Sequence, residues 1–354
     1  MFWTRIIAFF VGVVAVFTLA IATWSVIAGR ELPIGEEIVY ISRLQGFTWD
    51  IYLMDVDRGL AYNATRPFMR GGTRNRLPQW SADGDQLAFV TEYFNQRDIL
   101  IMNPAESTLR FLTSRDQDET DPVWSPDGTR VAYSVWNGAN WDVYVHRLRA
   151  VNTILVQESS IRPFVGGFSN DRLPQWSPDG TQLLFISDRF GLNDLFLIDS
   201  NGRNLRRLTS NMGVDDFAAW SPTGTHIAVV SARDTNREIY LVNVESGAFT
   251  NLTHQPRADF DPAWSPDGSR IAFVSDRDGD NDIYVMDADG DNLIQITHNN
   301  TYDDEPDWSP DGKRLVFVGS PGGTSEIFVV DLESGALRQL TNNQDDDWSP
   351  AWRP

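Results

Sequence analysis

Tryptophan recurs in this chain at a fixed interval, and that interval constrains the fold more than any other feature. The segment Trp264-Ser265-Pro266-Asp267-Gly268 returns as Trp124 to Gly128, Trp176 to Gly180 and Trp308 to Gly312. Trp80 to Gly84 and Trp220 to Gly224 are one-residue variants. Trp348 opens a further Trp-Ser-Pro, but it is out of phase: Pro350-Ala351-Trp352-Arg353-Pro354 matches Pro262-Ala263-Trp264-Ser265-Pro266. The aligned tryptophans are therefore 80, 124, 176, 220, 264, 308 and 352, spaced by 44 residues except for a step of 52 after Trp124. A period of this size is the mark of a repeat architecture.

Each unit reads as four strands. One is short and apolar, as in Ile271 to Ser275, and the next is Asp282-Ile283-Tyr284-Val285-Met286-Asp287, rich in β-formers. A third ends in Leu-Thr or a near variant (Leu112-Thr113, Leu208-Thr209, Leu252-Thr253, Ile296-Thr297, Leu340-Thr341), and the fourth carries the tryptophan. Ser-Pro-Asp-Gly then turns the chain, Pro fixing φ, Asp closing a local hydrogen bond and Gly taking φ > 0. Four strands per ~44 residues predict an all-β, seven-bladed propeller over residues 38–354. The first apolar strand, Ile38 to Ser42, has no tryptophan strand before it, and the strand of Trp352 has no apolar strand after it. Pairing between the N- and C-terminal strands is thus expected to close the ring and remove an open edge. Six blades with one unit displaced is the weaker option.

These residues resemble the TolB-type, WD40-like β-propeller repeat family, whose pattern is an Asp, then Pro-Ala-Trp-Ser-Pro-Asp-Gly, an apolar strand and Asp-Ile-Tyr-Val-Met-Asp. The resemblance covers roughly residues 38–354. It implies a propeller of the kind that binds envelope proteins in TolB, although no counterpart of the N-terminal α/β domain of TolB is expected here. Prolyl-oligopeptidase-like enzymes carry similar propellers with a hydrolase domain appended, and no room for one is expected here.

Residues 6–29 are uncharged and rich in Ile, Val, Phe and Ala. About 20 such residues span a bilayer, and a cleavable signal core is shorter. The expected organisation is a short tail at 1–5, a transmembrane signal anchor at 6–29, a linker at 30–37 and the propeller beyond, lying periplasmic or extracellular. Val26-Ile27-Ala28 leaves cleavage open. The net charge of −20 argues against nucleic acid, which requires a basic stripe. The lack of cysteine excludes disulfides, thiolate zinc sites and a cysteine nucleophile.

No catalytic signature is present: there is no nucleophile elbow, Walker loop or zincin motif. His146, His226, His254 and His298 fall at unrelated phases of four units. The clustered histidines of oligogalacturonate lyase, a metal-dependent relative of this propeller class, are therefore missing. Asp278, Asp280 and Asp282 imitate the start of a calcium loop, as do Asp287, Asp289 and Asp291, but both lack the later glycine and glutamate and read as hairpin turns. No catalytic residue, cofactor or metal is assigned.

Two features are candidates for binding. Five residues before the aligned tryptophans stand Asn75, Glu119, Asp171, Asp215, Asp259, Asp303 and Asp347. Six carboxylates at one phase are expected to circle a mouth of the central channel and to attract cations or basic segments. The same pattern equally fits carboxylates that bond within their own blades. The second feature is a duplicated longer loop: Arg66-Pro67-Phe68 to Trp80 aligns with Arg162-Pro163-Phe164 to Trp176, and both end in Arg-Leu-Pro-Gln-Trp. Arg66, Arg70, Arg74 and Arg76 form a basic spot there, with Arg162 and Arg172 in the second copy. Duplication without any ligand explains it equally well. The expected function is a monomeric, membrane-anchored binding or scaffold propeller presenting one face to a protein, peptide or glycan. The alternative is a polysaccharide-acting enzyme using mouth carboxylates as acid and base.

Overall fold

The computed structural model describes residues 37–354 apart from 45–47, 70–71, 114–116, 152–153, 157–164, 211–214 and 235. The expected tail and membrane segment, with nearly all of the linker, lie outside the described residues. Among the described residues no helix is long and apolar enough to cross a membrane.

The described chain is all-β and repeats one antiparallel sheet. Sheet six shows the pattern: Asp259–Trp264 is the inner strand, followed outwards by Arg270–Ser275, Asp282–Asp287 and Ile294–Gln295. Sheets four, five and seven repeat it from Asp171–Trp176, Asp215–Trp220 and Asp303–Trp308, and sheet two from Arg74–Trp80. Leu-Thr falls just beyond the short outer strand rather than at its end. There the threonine hydroxyl accepts a neighbouring-strand amide, as in Ile283 N to Thr297 Oγ1 at 2.9 Å.

The first sheet is built from both ends of the chain. Strand Glu37–Leu44 pairs with Thr48–Asp55 on one side and with Asp347–Trp352 on the other, in the register Ile38 to Trp352 and Ser42 to Asp347. Arg353 seals the junction through its amide to Glu37 O (2.8 Å) and its guanidinium to the Glu37 carboxylate (3.1 Å). The 52-residue step also has its cause. In the third sheet, a small hairpin (Arg149–Val151 with Ile154–Val156) interrupts the outer part, and Val165 then bridges to Val143 in the place of a fourth strand.

Alternation lets both faces of each sheet bury apolar side chains against a neighbouring sheet. One cluster joins Ala272, Val274 and Ile283 of sheet six to Trp308, Leu315 and Phe317 of sheet seven. Another joins Ile38, Tyr40 and Trp352 to Val316 and Ile327, packing the two-ended sheet against the seventh. Cross-strand ring pairs such as Phe273–Tyr284 and Phe317–Phe328 stack at 5.8 and 5.7 Å. The tryptophans tie sheet to sheet. Nε1 of Trp264 donates to Ala219 O and Nε1 of Trp308 to Ala263 O, each at 3.0 Å, and Nε1 of Trp124 donates to Gln79 O at 3.2 Å.

The Ser-Pro-Asp-Gly turn behaves as its residues predict. In the sixth sheet, Ser265 Oγ donates to Asp267 (2.6 Å), Gly268 takes φ of 70°, and the Arg270 amide returns to Ser265 Oγ at 2.9 Å. Hydrogen bonds from Ser265 and Ser269 hold the Asp267 carboxyl down at about 2, well below its ordinary value.

Candidate functional site

The repeated acidic position lies inside the seams between sheets. Asn75, Glu119, Asp171, Asp215, Asp259 and Asp347 have no exposed surface, and Asp303 is 2% exposed. This corrects the expectation of an open carboxylate ring. Each group begins an inner strand, where its side chain turns back to close the repeat rather than forward into solvent. Asp215 accepts from Ser231 Oγ at 2.6 Å, Glu119 from Thr113 Oγ1 at 3.1 Å and Asp347 from Asn343 Nδ2 at 2.7 Å. Asn75 instead donates to Trp49 O at 2.9 Å.

A second acidic position sits close by, at the start of the third strand of each sheet: Asp50, Asp98, Asp142, Asp194, Glu238, Asp282 and Glu326. The Leu-Thr threonine binds this group, as in Thr297 Oγ1 to Asp282 at 2.8 Å, and so sits between the acids of adjacent sheets. Burying two carboxylates together is costly unless a cation or a proton intervenes. In three seams an arginine two residues past the second strand supplies the cation. Arg189 reaches Asp171 at 2.8 Å, Arg233 reaches Asp215 at 3.6 Å and Arg277 reaches Asp259 at 3.1 Å.

Pro321 stands where those arginines would be for Asp303, and Gly319 replaces the serine that those three seams offer. A Cβ on Gly319 would lie 2.8 Å from Asp303 Oδ1, so the carboxylate occupies the space that a side chain would need. Asn299 Nδ2 donates to Asp303 at 2.6 Å. Burial, aided by the charges of Asp282 and Asp304, still pushes Asp303 up to about 6. Burial and Glu326 do the same to Asp347. Sequence reading missed this second acid, although it was visible as an Asp or Glu before every Ile-Tyr-like strand.

A different set of residues lines the axis. Every inner strand carries an irregularity three residues before its tryptophan, with φ of 54° at Leu77, 55° at Asp121, 53° at Leu173, 31° at Phe217, 50° at Asp261, 56° at Glu305 and 51° at Ser349. The strands slip register at this point, for example between Phe260 and Ala263. Bulges of this kind re-aim side chains at a sheet edge. Here the edge is the inner one, and neighbouring inner strands pack side by side in chain order, the strand of Trp352 closing on that of Trp80; Asp171–Trp176 and Asp215–Trp220 approach each other least. Neighbouring bulges touch: Ser349 N donates to Glu305 Oε2 at 2.6 Å, and Ser134 Oγ joins the Leu173 amide (3.2 Å) to Asp121 (2.9 Å).

The residues at and beside these bulges differ in charge from sheet to sheet. Sheets five to seven contribute Asp216, Asp261, Asp304, Glu305 and Asp307. Sheets two and four contribute Arg76, Leu77, Arg172 and Leu173, and sheet three between them contributes Asp121. Desolvation and the nearby Asp304 push Asp261 up to about 6, and desolvation alone brings Asp307 to about 6. Desolvation also raises Glu305, and the charges of Asp261 and Asp304 add to it.

The arginine loops are only partly free. Arg74 and Arg76 converge on Glu92 at 3.3 and 2.8 Å, and Arg76 stacks over Trp49 at 4.7 Å, which itself meets Trp348 edge-on. The basic spot expected there is therefore largely neutralised from the adjacent strand. Arg66 is exposed and Arg172 half-buried, while Arg70 and Arg162 lie outside the described residues.

The carboxylate oxygens of Asp278, Asp280 and Asp282 come within 4.8 Å of one another, as a metal site would need. The Gln295 amide donates to Asp278 at 2.7 Å and to Asp282 at 3.3 Å, so the loop has internal partners.

Antiparallel sheets in cyclic order, an inner tryptophan strand in each and a first sheet completed from both ends define a β-propeller. The chain belongs to the TolB β-propeller family: the model described as "TolB beta propeller domain" matches residues 120–259 and 213–354. A TolB homolog of Chlorobium luteolum is 32% identical over 173 residues, which is 49% of this chain and 36% of the homolog, so the match spans about a third of that protein. The crystal structure of TolB from Acinetobacter baumannii superposes with a TM-score of 0.58 at 18% identity, covering 90% of this chain and 83% of that one. Oligogalacturonate lyase in complex with manganese superposes with a TM-score of 0.69 at 19% identity, covering 85% and 87%. At these identities the structures speak for the fold alone.

Proposed function

We propose that this chain is a seven-bladed, non-catalytic binding propeller of the cell envelope. In this reading residues 6–29 tether it to a membrane, the propeller lies outside the cytoplasm as a monomer, and one mouth of the axial channel receives a protein, peptide or glycan partner. The kinship with TolB supports the envelope setting.

One observation carries the binding reading. The scaffold positions of each blade repeat, whereas the bulge positions around the axis diverge: sheets five to seven present Asp216, Asp261, Asp304 and Glu305, while sheets two to four present Leu77, Leu173 and Arg172 beside Asp121, with Arg76 paired to Glu92. A purely structural repeat has no need of that asymmetry. A mouth more acidic on one side than on the other favours one orientation of a ligand over the reverse. The test is capture from crosslinked native membranes with the full chain, beside Asp304→Asn/Glu305→Gln and Arg172→Ala variants whose melting is checked first. Loss of a specific partner with either folded variant is the expected result. Equal capture by all three chains refutes the mouth as the binding site.

The alternative is a polysaccharide-acting enzyme, and one feature favours it. Asp261 and Asp307, beside the axis and raised to about 6, are poised as general acids are. Release of reducing ends from an acidic polysaccharide, abolished by Asp261→Asn, would establish that reading.

A further inference from the structure

The face at the Ser-Pro-Asp-Gly turns lies at the opposite end of the inner strands from the buried acidic position, and at three junctions there an arginine fills a repeated seat. Arg130 sits 4.3 Å over the Trp176 ring of the next blade, donates to Gly180 O at 3.2 Å and lies 3.8 Å from Asp127 of its own turn. Arg270 repeats the ring and carbonyl contacts over Trp308 (4.7 Å) and Gly312 O (2.8 Å); Arg314 lies over Trp352 at 4.9 Å, where no glycine follows and the Asp57 carboxylate is 3.0 Å away. In its fullest form, around Arg130, the seat has three walls: an indole face, a glycine carbonyl and a turn aspartate.

Between blades four and five the residue at the arginine position is Gln182. The walls are all present in Trp220, Gly224 and Asp179, and they line a cavity of about 300 Å³ together with Pro178, Pro222 and Thr223. The junction has not closed up to compensate. Pro178 Cδ lies 3.6 Å from where a Cβ on Gly224 would be, against 3.6 Å for Pro126 at Gly180 and 3.7 Å for Pro266 at Gly312. Trp220 is half-buried, whereas Trp176, Trp308 and Trp352, each under an arginine, are buried. Three other junctions also lack an arginine at this position, but each is occupied differently. At Glu37, Arg353 reaches over Trp80 instead, 5.4 Å from the ring. Beyond Gln86, Trp124 is itself buried, and before Trp264 the His226 ring is engaged by Thr225 (3.0 Å) and Asn243 (3.4 Å).

We propose that this notch is a recognition site for a guanidinium group, taken from the arginine side chain of a partner polypeptide. A planar cation over an indole face, with a carboxylate and a carbonyl at its edge, satisfies both its charge and its N–H donors. Hydrogen bonds from Ser177 and Thr181 keep Asp179 below the ordinary carboxylate range, so the wall is anionic at neutral pH. The site shares no residue with the axial bulges, and its failure leaves the channel-mouth reading standing.

The test uses the full chain and N-acetyl-arginine methylamide, with the neutral citrulline analogue and guanidinium chloride as separate arms. The readout is the Trp220 indole N–H resonance. A saturable shift with the arginine probe, absent with citrulline, is expected. A response to guanidinium chloride equal to that of the arginine probe at equal concentration would overturn the side-chain assignment. Gln182→Arg should fill the seat in cis, raise the melting temperature and abolish the shift, and Asp179→Asn should weaken binding ~5-fold. No shift in the parent chain, or an undiminished shift in a folded Gln182→Arg chain, overturns the proposal.

Discussion

Replacing Asp303 by asparagine should stabilise this protein at neutral pH, although the carboxylate is buried and hydrogen-bonded. A folded-state pKa raised from 3.8 to about 6 means that the native state holds the proton more tightly than the unfolded chain does. The contribution of this group to stability is therefore complete below pH 3.8 and lost as pH rises through 6. In free energy the shift corresponds to a ceiling of about 3 kcal/mol. An amide at position 303 carries no charge to desolvate and removes the repulsion from Asp282, so a gain of ~1–3 kcal/mol is expected at pH 7.5, vanishing towards pH 4. The counterpart at the same repeat position is Asp259, whose charge is met by Arg277 at 3.1 Å. Asp259→Asn strands that guanidinium and should cost ~2 kcal/mol. The assay is urea unfolding followed by tryptophan fluorescence at several pH values. If both variants are destabilised alike at pH 7.5, or if the gap between Asp303→Asn and the parent chain does not change with pH, the argument from the missing arginine is wrong.

Two further outcomes follow from the scaffold. Thr297→Val removes the acceptor of the Ile283 amide and the donor to Asp282, and should cost ~1–3 kcal/mol in the same urea assay, more than a surface Thr→Val change. Deleting residues 347–354 takes away the strand paired to Ile38–Ser42 and exposes the apolar cluster around Tyr40 and Val316, so the truncated chain should bind a hydrophobic dye and lose its cooperative melt.

The repeat makes the architecture readable from the sequence. Ser-Pro-Asp-Gly, the alternating Ile-Ala-Phe-Val-Ser strand and the phase of Trp352 each pointed to the element that forms, and the pairing of Ile38 with Trp352 follows from them. The candidate site was less legible, for two physical reasons. An acidic residue at a fixed phase looks the same in sequence whether it faces a channel or plugs a seam. Its partners, such as Ser231, Arg233 and Thr209, are spread over two blades and become neighbours only after folding. The bulge is also invisible to a two-residue alternation rule. One irregular residue per inner strand moves positions such as Glu305 and Phe217 to the axis, and a regular pleat would have assigned them to the wrong side.

The two-ended first sheet also sets an order of events. Glu37 and Arg353 are bonded to each other, yet 316 residues of synthesis separate them. Until the last strand emerges, strand Glu37–Leu44 has one bare edge, and the ring is an arc whose two terminal faces are both sticky. Intermediate blades can form as they appear, because each is local in sequence, but the lock is thrown only by the final few residues. A nascent chain of this kind is thus at its most vulnerable to edge capture by another copy just before completion.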